Sequence, residues 1–170
     1  MSPEAHAASH ARETSQTDRF RHPGAGQALA TLLPPASKIY AVDRDSAALN
    51  AIPWAYTDKS LVRVNSDIGG NLALPELDGA LLANVLHYMP DQPGFLQRLQ
   101  GQLRPNGVLI IIEYDTNTGN QWVPYPVSYD RMKELAAGLR LDILLLGTER
   151  SKFNAGTLYS VLLQRLTAGK

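Results

Sequence analysis

The stretch SKIYAVDRDS, Ser37 to Ser46, is an apolar run that stops on an acid and meets a second acid two residues later. Ile39, Tyr40, Ala41 and Val42 follow one another without a polar break, as in a strand covered on both faces. Asp43 then falls at the carboxyl edge of that strand. In an open α/β sheet, ligands bind in the crevice outside that edge. A carboxylate placed there can accept hydrogen bonds from both hydroxyls of a ribose. The competing use of Asp43 or Asp45 is to cap the helix that begins near Ser46.

Downstream, Ser46 to Asn50 reads as a short helix stopped by Ile52-Pro53, with Trp54 and Tyr56 as packing residues. Leu61 to Asn65 reads as an alternating strand, and Ser66, Asp67 and Ile68 lie at its end before the Gly69-Gly70-Asn71 turn. Ala80 to Ala83 is a strand with Asn84 at its edge. Pro90-Asp91 starts a helix over Gln92 to Leu103, in which Phe95, Leu96, Leu99 and Leu103 recur at helical spacing. Arg104 to Gly107 is a turn. Val108 to Ile112 is the strongest strand, and it ends at Glu113-Tyr114-Asp115. A polar and aromatic connection, Thr116 to Pro126, follows it; such loops often cover a ligand. Tyr129 to Leu139 is an amphipathic helix. Leu141 to Leu146 and Leu158 to Leu166 are strands joined through a turn at Ser151 to Gly156.

Upstream, Gly24-Ala25-Gly26 opens a short helical pattern through Leu29, Leu32 and Leu33, and Pro34-Pro35 ends it. No apolar strand precedes those glycines, and Leu29 stands where a third glycine of GxGxxG would fall. Residues 1–21 read as a mobile tail, and 22–170 as a single domain. His6, His10 and His22 match no metal-binding spacing. The order of elements predicts an α/β fold with a doubly wound, mostly parallel Rossmann-like sheet and one C-terminal antiparallel strand. Its first strand is missing or replaced.

The chain of 170 residues carries 16 basic and 16 acidic side chains. That neutrality argues against a nucleic-acid partner. No cysteine is present, which removes disulfides, thiolate metal sites and a cysteine nucleophile, and fits a cytoplasmic protein. No apolar run approaches the ~20 residues of a membrane span, and the N-terminal residues lack the apolar core of a signal peptide.

Taken together, these stretches resemble the class I S-adenosylmethionine-dependent methyltransferases. VDRD at Val42 to Asp45 looks like the second-strand acid of that family, and NSDI at Asn65 to Ile68 like its third-strand motif. ANVLHYMPD at Ala83 to Asp91 and LRPNGVLIIIEYD at Leu103 to Asp115 are similar to its fourth-strand motif and to the helix-turn-strand that follows. The likeness covers about Gln27 to Leu166. It implies S-adenosylmethionine as cofactor, with Asp43 at its ribose, Arg44 among the other residues that bind it, Asp67 at the adenine amino group and Ile68 on the adenine ring. Gly24, Gly26 and Asn84 would lie along the rest of it. The departure is the first motif, which keeps only Gly24 and Gly26 and lacks its strand. Either another segment fills that gap, or two chains share it as a homodimer, or this version binds the cofactor poorly. An inactive binding or scaffold protein on the same fold is the alternative to an active enzyme, and a nicotinamide-dependent oxidoreductase is disfavoured by the failed glycine pattern.

Methyl transfer from a sulfonium is an in-line displacement, in which holding donor and acceptor in contact supplies much of the rate. A base is required only when the acceptor must lose a proton. His87 is the candidate base, against a packing role beside Tyr88. Glu113 and Asp115 are candidates to orient a small-molecule acceptor, against capping roles. Trp122, Tyr125 and Tyr129 are candidates for its wall, against anchoring the loop. No metal is implied.

Overall fold

The computed structural model describes residues 6–8, 25–151 and 156–166. Seven strands and four α-helices are found among them: β1 His6–Ala8, α1 Ala25–Leu32, β2 Lys38–Asp43, α2 Ser46–Asn50, β3 Ser60–Asn65, β4 Leu77–Ala83, α3 Gln92–Gly101, β5 Leu103–Tyr114, α4 Tyr129–Gly138, β6 Leu141–Arg150 and β7 Thr157–Arg165. Hydrogen bonds join β1-β4-β5-β7-β6 into one sheet and β2-β3 into a second ladder. β1 lies beside β2, which sets the two ladders edge to edge in the order β3-β2-β1-β4-β5-β7-β6. β1, β4 and β5 run parallel, as do β2 and β3, while β7 is antiparallel to both β5 and β6. The doubly wound sheet with its antiparallel closing strand is as the sequence predicts.

The gap left by the first strand is filled from an unexpected place. His6 to Ala8, inside the stretch read as a tail, pairs with Ala80 to Leu82 of β4. Three residues without a large apolar side chain give no strand pattern, so only pairing with the exposed edge of β4 selects them. The remainder of that tail lies outside the described residues, as do His10, His22 and Gly24.

The main core lies between the sheet and the pair α3 and α4. Ala80, Leu82, Leu109, Ile111, Tyr159, Val161 and Leu163 face Phe95, Leu96, Leu99, Met132, Leu135 and Ala136. A smaller core forms where Ala30 of α1 meets Ile39 of β2, flanked by Trp54 and Tyr56, whose ring centroids are 4.9 Å apart. Val42 belongs to the main core and Ile39 to the smaller one. Their odd spacing places them on opposite faces, so β2 is covered on both sides, as its unbroken apolar run requires.

Each helix after α1 starts on a capping side chain. Asp45 Oδ1 accepts from the N–H groups of Ala47 (2.9 Å) and Ala48 (3.3 Å). Asp91 Oδ1 accepts from Gly94 N–H (3.0 Å), and Ser128 Oγ from Arg131 N–H (3.3 Å). The predicted Arg104–Gly107 turn is an excursion inside β5: Leu77 pairs with Leu103, yet Gly79 pairs with Val108. Gly107 is required there, because a Cβ would lie 2.9 Å from Leu103 Cβ and 3.1 Å from the Leu77 carbonyl oxygen.

Candidate functional site at the carboxyl ends of the strands

Strand order reverses between β1 and β4, which is where an open α/β sheet leaves a ligand crevice. The carboxyl ends of β2, β3, β4 and β5 carry most of the residues that the sequence singles out. Their surroundings divide them into three groups.

The first group has polar atoms with no protein partner. Asp43 is 7% exposed at the end of β2. Its Oδ1 accepts from Asp45 N–H at 2.8 Å, while Oδ2 is buried and unpartnered. The two acids of VDRD therefore divide the work: Asp45 caps α2 and leaves Asp43 with an open carboxylate oxygen. The turn beneath them is fixed by Asn65, whose side-chain amide donates to the carbonyls of Asp43 (3.0 Å) and Arg44 (2.9 Å). Arg44 itself is exposed. Asn84, just past β4, has φ of 56°, a left-handed conformation that costs most side chains energy but that asparagine tolerates. Its N–H continues the ladder to the Ile112 carbonyl at 2.9 Å, and its side-chain Oδ1 is buried without a partner. Asp43 Oδ2 and Asn84 Oδ1 thus stand at the ends of β2 and β4, the strands on either side of β1. Buried acceptors without a donor are uncommon in folded proteins.

The second group is a closed polar knot. Glu113, at the end of β5, is fully buried. Its Oε1 accepts from the N–H groups of Leu86 (2.7 Å) and His87 (3.2 Å), and its Oε2 meets His87 Nδ1 at 2.6 Å. His87 is 2% exposed in the 3₁₀ turn Leu86–Tyr88, with the rings of Tyr88 and Tyr114 at 4.3 and 6.1 Å. The expectation that Glu113 orients an acceptor directly does not fit this burial; the carboxylate caps the turn and holds the imidazole. Alternation along β5 puts Glu113 on the same face as Leu109 and Ile111, under the helices.

The third group is the loop after β5. Asp115 Oδ1 accepts from Tyr129 N–H at 2.9 Å and so braces the start of α4. Tyr125 N–H donates to the His87 carbonyl at 3.0 Å, which ties the loop to the 3₁₀ turn. Trp122 and Tyr125 leave 47% and 45% of their surface exposed. Tyr129 instead packs on Tyr159, centroids 5.6 Å apart. Two loop anchors escaped the sequence reading. Gln92 Nε2 donates to the Tyr125 carbonyl (2.9 Å), and the buried Tyr159 hydroxyl donates to the Val127 carbonyl (2.9 Å). Burial, and then the negative charges of Glu113 and Asp115, hold the Tyr159 phenol well above its ordinary pKa, so it remains a donor. Neither anchor stands in a pattern that marks it in sequence.

Asp67 and Ile68 are placed less distinctively. Asp67 is exposed and its Oδ1 accepts from Gly69 N–H at 2.8 Å, opening the glycine turn. Ile68 packs into the main core and lines a cavity of about 190 Å³ with Leu72, Phe95 and Leu99. Gly26 is the second residue of α1, so its N–H is among the first-turn donors that the helix leaves unpaired. A larger cavity, about 330 Å³, lies at the amino end of β5 against Pro105 to Gly107 and contains none of these residues. Among the described residues no group of three or more His, Cys, Asp or Glu side chains could hold a metal, and no helix is long and apolar enough to cross a membrane.

Solved structures define the class to which this architecture belongs. The N-methyltransferase NodS of Bradyrhizobium japonicum, solved with S-adenosylhomocysteine, matches with a TM-score of 0.67 at 12% identity, over 97% of this chain and 79% of that one. The 1,6-didemethyltoxoflavin N1-methyltransferase of Burkholderia thailandensis, solved with that compound and S-adenosylhomocysteine, gives 0.64 at 18% identity, over 96% and 72%. An S-adenosylmethionine-dependent methyltransferase of Methanosarcina mazei gives 0.62 at 13% identity, over 97% and 93%. The fold is therefore that of the class I S-adenosylmethionine-dependent methyltransferases.

Residues 23–111, just over half of the chain, match the family model described as a methyltransferase domain. The chain belongs to that family, whose cofactor is S-adenosylmethionine. The matched span begins after β1. No curated protein matches it significantly in sequence.

Proposed function

We propose that this chain binds S-adenosylmethionine in the crevice beside β1 and transfers its methyl group to a small-molecule acceptor. The observation that carries the proposal is that two of the three buried, unpartnered side-chain oxygens among the described residues, Asp43 Oδ2 and Asn84 Oδ1, lie at the carboxyl ends of β2 and β4, the third being Asp78 Oδ2 at the other end of β4. Leaving one such group unpaired costs about 1–3 kcal/mol, which a ligand that brings donors recovers. S-adenosylmethionine has such donors in its ribose hydroxyls and its amino group. Asp43 suits the ribose, because a carboxylate accepts from both hydroxyls. The Asn84 oxygen suits an N–H donor rather than the cofactor's carboxylate. When bound, the cofactor supplies a methyl group already activated on sulfur. The protein then has to hold the acceptor in line with it and keep water out. The exposed Trp122 and Tyr125, on a loop tied to His87, suit a wall for that acceptor. The small acceptor of the similar Burkholderia enzyme is in keeping with this reading.

Calorimetric titration of the purified chain with S-adenosylmethionine and S-adenosylhomocysteine tests the reading. Micromolar binding is expected. Asp43→Ala should weaken it by roughly 30-fold or more, since a charged hydrogen-bonded group is lost. Unchanged affinity in that variant would remove Asp43 from the site. Absence of binding by a folded sample would favour a scaffold role, as the altered first motif would then be insufficient.

Asn84→Gly separates binding from folding. Glycine adopts the left-handed conformation freely, so chemical denaturation should show stability within ~1 kcal/mol of the parent chain, or slightly higher. Affinity for S-adenosylmethionine should fall about tenfold with loss of the side-chain oxygen. Equal affinity in both proteins would show that Asn84 only ends its strand.

A further inference from the structure

We infer that the face of the sheet opposite α3 and α4 is where two copies of this chain pack together as a homodimer. Alternation along the strands assigns residues to that face. Leu109, Ile111, Val161 and Leu163 lie in the main core, so Ile110, Ile112, Leu158 and Leu162 point the other way. These side chains form rows across four strands. Leu81 of β4, Ile110 of β5, Leu162 of β7 and Leu144 of β6 are successive neighbours in register. Ala83, Ile112, Ser160 and Gly147 make the next row. On this side of the sheet α1 covers β2, where Ala30 meets Ile39. Ile110, Ile112, Leu158 and Leu162 belong to neither core and are half-buried, while Leu144 is 59% exposed. Seven large hydrophobic side chains are exposed among the described residues, and four of them, Leu144, Leu145, Leu146 and Leu166, lie on β6 or just past β7.

An apolar sheet face requires another layer against it, and a contiguous exposed patch of this kind marks an interaction site. The chain has little of its own to lay there. Residues 1–5, 9–24, 152–155 and 167–170, outside the described ones, contain only Met1, Phe20 and Phe153 as large apolar side chains. A second copy meets the requirement in both area and charge. With strands ~4.8 Å apart and ~3.3 Å per residue, four strands of about eight residues offer about 500 Å². Two copies then bury about 1,000 Å², the size at which specific interfaces begin. The charged residues of these strands on this face, Asp142 and Glu149, stand towards the two ends of β6, at the margin. The central rows are uncharged, so two copies meet without like charges in opposition. Pairing through the edge of β6 is disfavoured, because its ladder is interrupted at Leu146 and bulges break strand pairing at a sheet edge. Contact through the face suffers no such interruption, and two sheets pack in this way ~10 Å apart.

Sedimentation velocity of the whole chain is the test. A species of twice the monomer mass should accumulate as the concentration rises from about 1 to 200 µM, since an interface of this size binds weakly. Leu144→Glu places an unpaired charge in both halves of the contact and should weaken association at least about 30-fold. Gln97→Glu adds the same charge on the exposed side of α3, across the sheet, and should leave association unchanged. A second readout keeps the face apolar. The chain has no cysteine, so Leu144→Cys carries a single thiol. Its rate of maleimide labelling should fall at least about tenfold over the same concentration range, as mass action buries it, while that of Gln97→Cys stays constant. The labelling decides the question even where Leu144→Glu fails to fold. A chain that stays monomeric at the highest concentration would overturn the inference, as would a dimer that Leu144→Glu leaves intact. Slow labelling of Leu144→Cys at every concentration would show that the chain covers its own face. Fast labelling at every concentration, slowed only by phosphatidylcholine vesicles, would assign the face to a membrane surface. Either result would equally overturn the dimer.

Discussion

Replacement of Glu113 by alanine is expected to lower the unfolding free energy by about 3–5 kcal/mol, the usual cost of removing one member of a buried charged or hydrogen-bonded pair. The carboxylate is fully buried and satisfies three donors at once: Leu86 N–H, His87 N–H and His87 Nδ1–H. Alanine leaves all three unpaired in a site that water does not reach, and the empty volume adds to the loss. Urea denaturation, followed by circular dichroism, measures the change. For a chain of this size it corresponds to a fall in Tm of roughly 10 °C or more. A loss below about 1 kcal/mol would mean that solvent enters the 3₁₀ turn and replaces the carboxylate. Glu113→Gln should cost much less, since its oxygen keeps the two backbone donors satisfied. The contrast between the two variants separates the role of the carboxylate in folding from its role in setting the imidazole.

The second large effect belongs to the centre of the sheet. Ile111 of β5 stands between Leu82 of β4 and Val161 of β7 in register, and none of the three side chains has any measurable exposure. Ile111→Ala should destabilise the domain by about 3–5 kcal/mol, the upper part of the range for deleting a large aliphatic side chain. The neighbours have little freedom to collapse into the cavity, because each is held in a hydrogen-bonded ladder within the sheet. The helices α3 and α4 close the site from above through Leu96, Leu99 and Met132. Ile111→Val should cost only about 0.5–1.5 kcal/mol, since it keeps β-branching and removes one methyl group. Denaturation of both variants tests this. Similar costs for the two would indicate that the core repacks around the smaller residue.

The order of elements was legible because each large element carries its own period. The unbroken run Ile39 to Val42, the stripe of Phe95, Leu96 and Leu99, and the run Val108 to Ile112 required no neighbour to be read; the helix was read two residues too long, because Leu103 keeps the helical spacing but begins β5 by pairing with Leu77. β1 was not legible. His6 to Ala8 is short and has no apolar pattern, and it becomes a strand only because β4 presents an unpaired edge. β5 was read too short because Pro105 and Gly107 announce a turn, whereas the structure absorbs that turn as an excursion and pairs the strand on both sides of it.

The same division runs through the candidate site. Sequence located the strand ends, and with them Asp43, Asn84, His87 and Glu113, because an apolar run that stops on a polar residue marks a carboxyl edge. It could not assign the partners. Asp43 and Asp45 are equivalent on paper; only the path of α2 shows that Asp45 caps the helix and that Asp43 keeps a free oxygen. Glu113 and His87 are distant in sequence and meet because β4 and β5 are neighbours in register. What the sequence determined by itself was the class of sheet and the positions of its edges, since those follow from periodicity along the chain. Only the tertiary structure decided which polar atoms are satisfied and which are left open, because that depends on partners brought together across strands, and no local pattern encodes them.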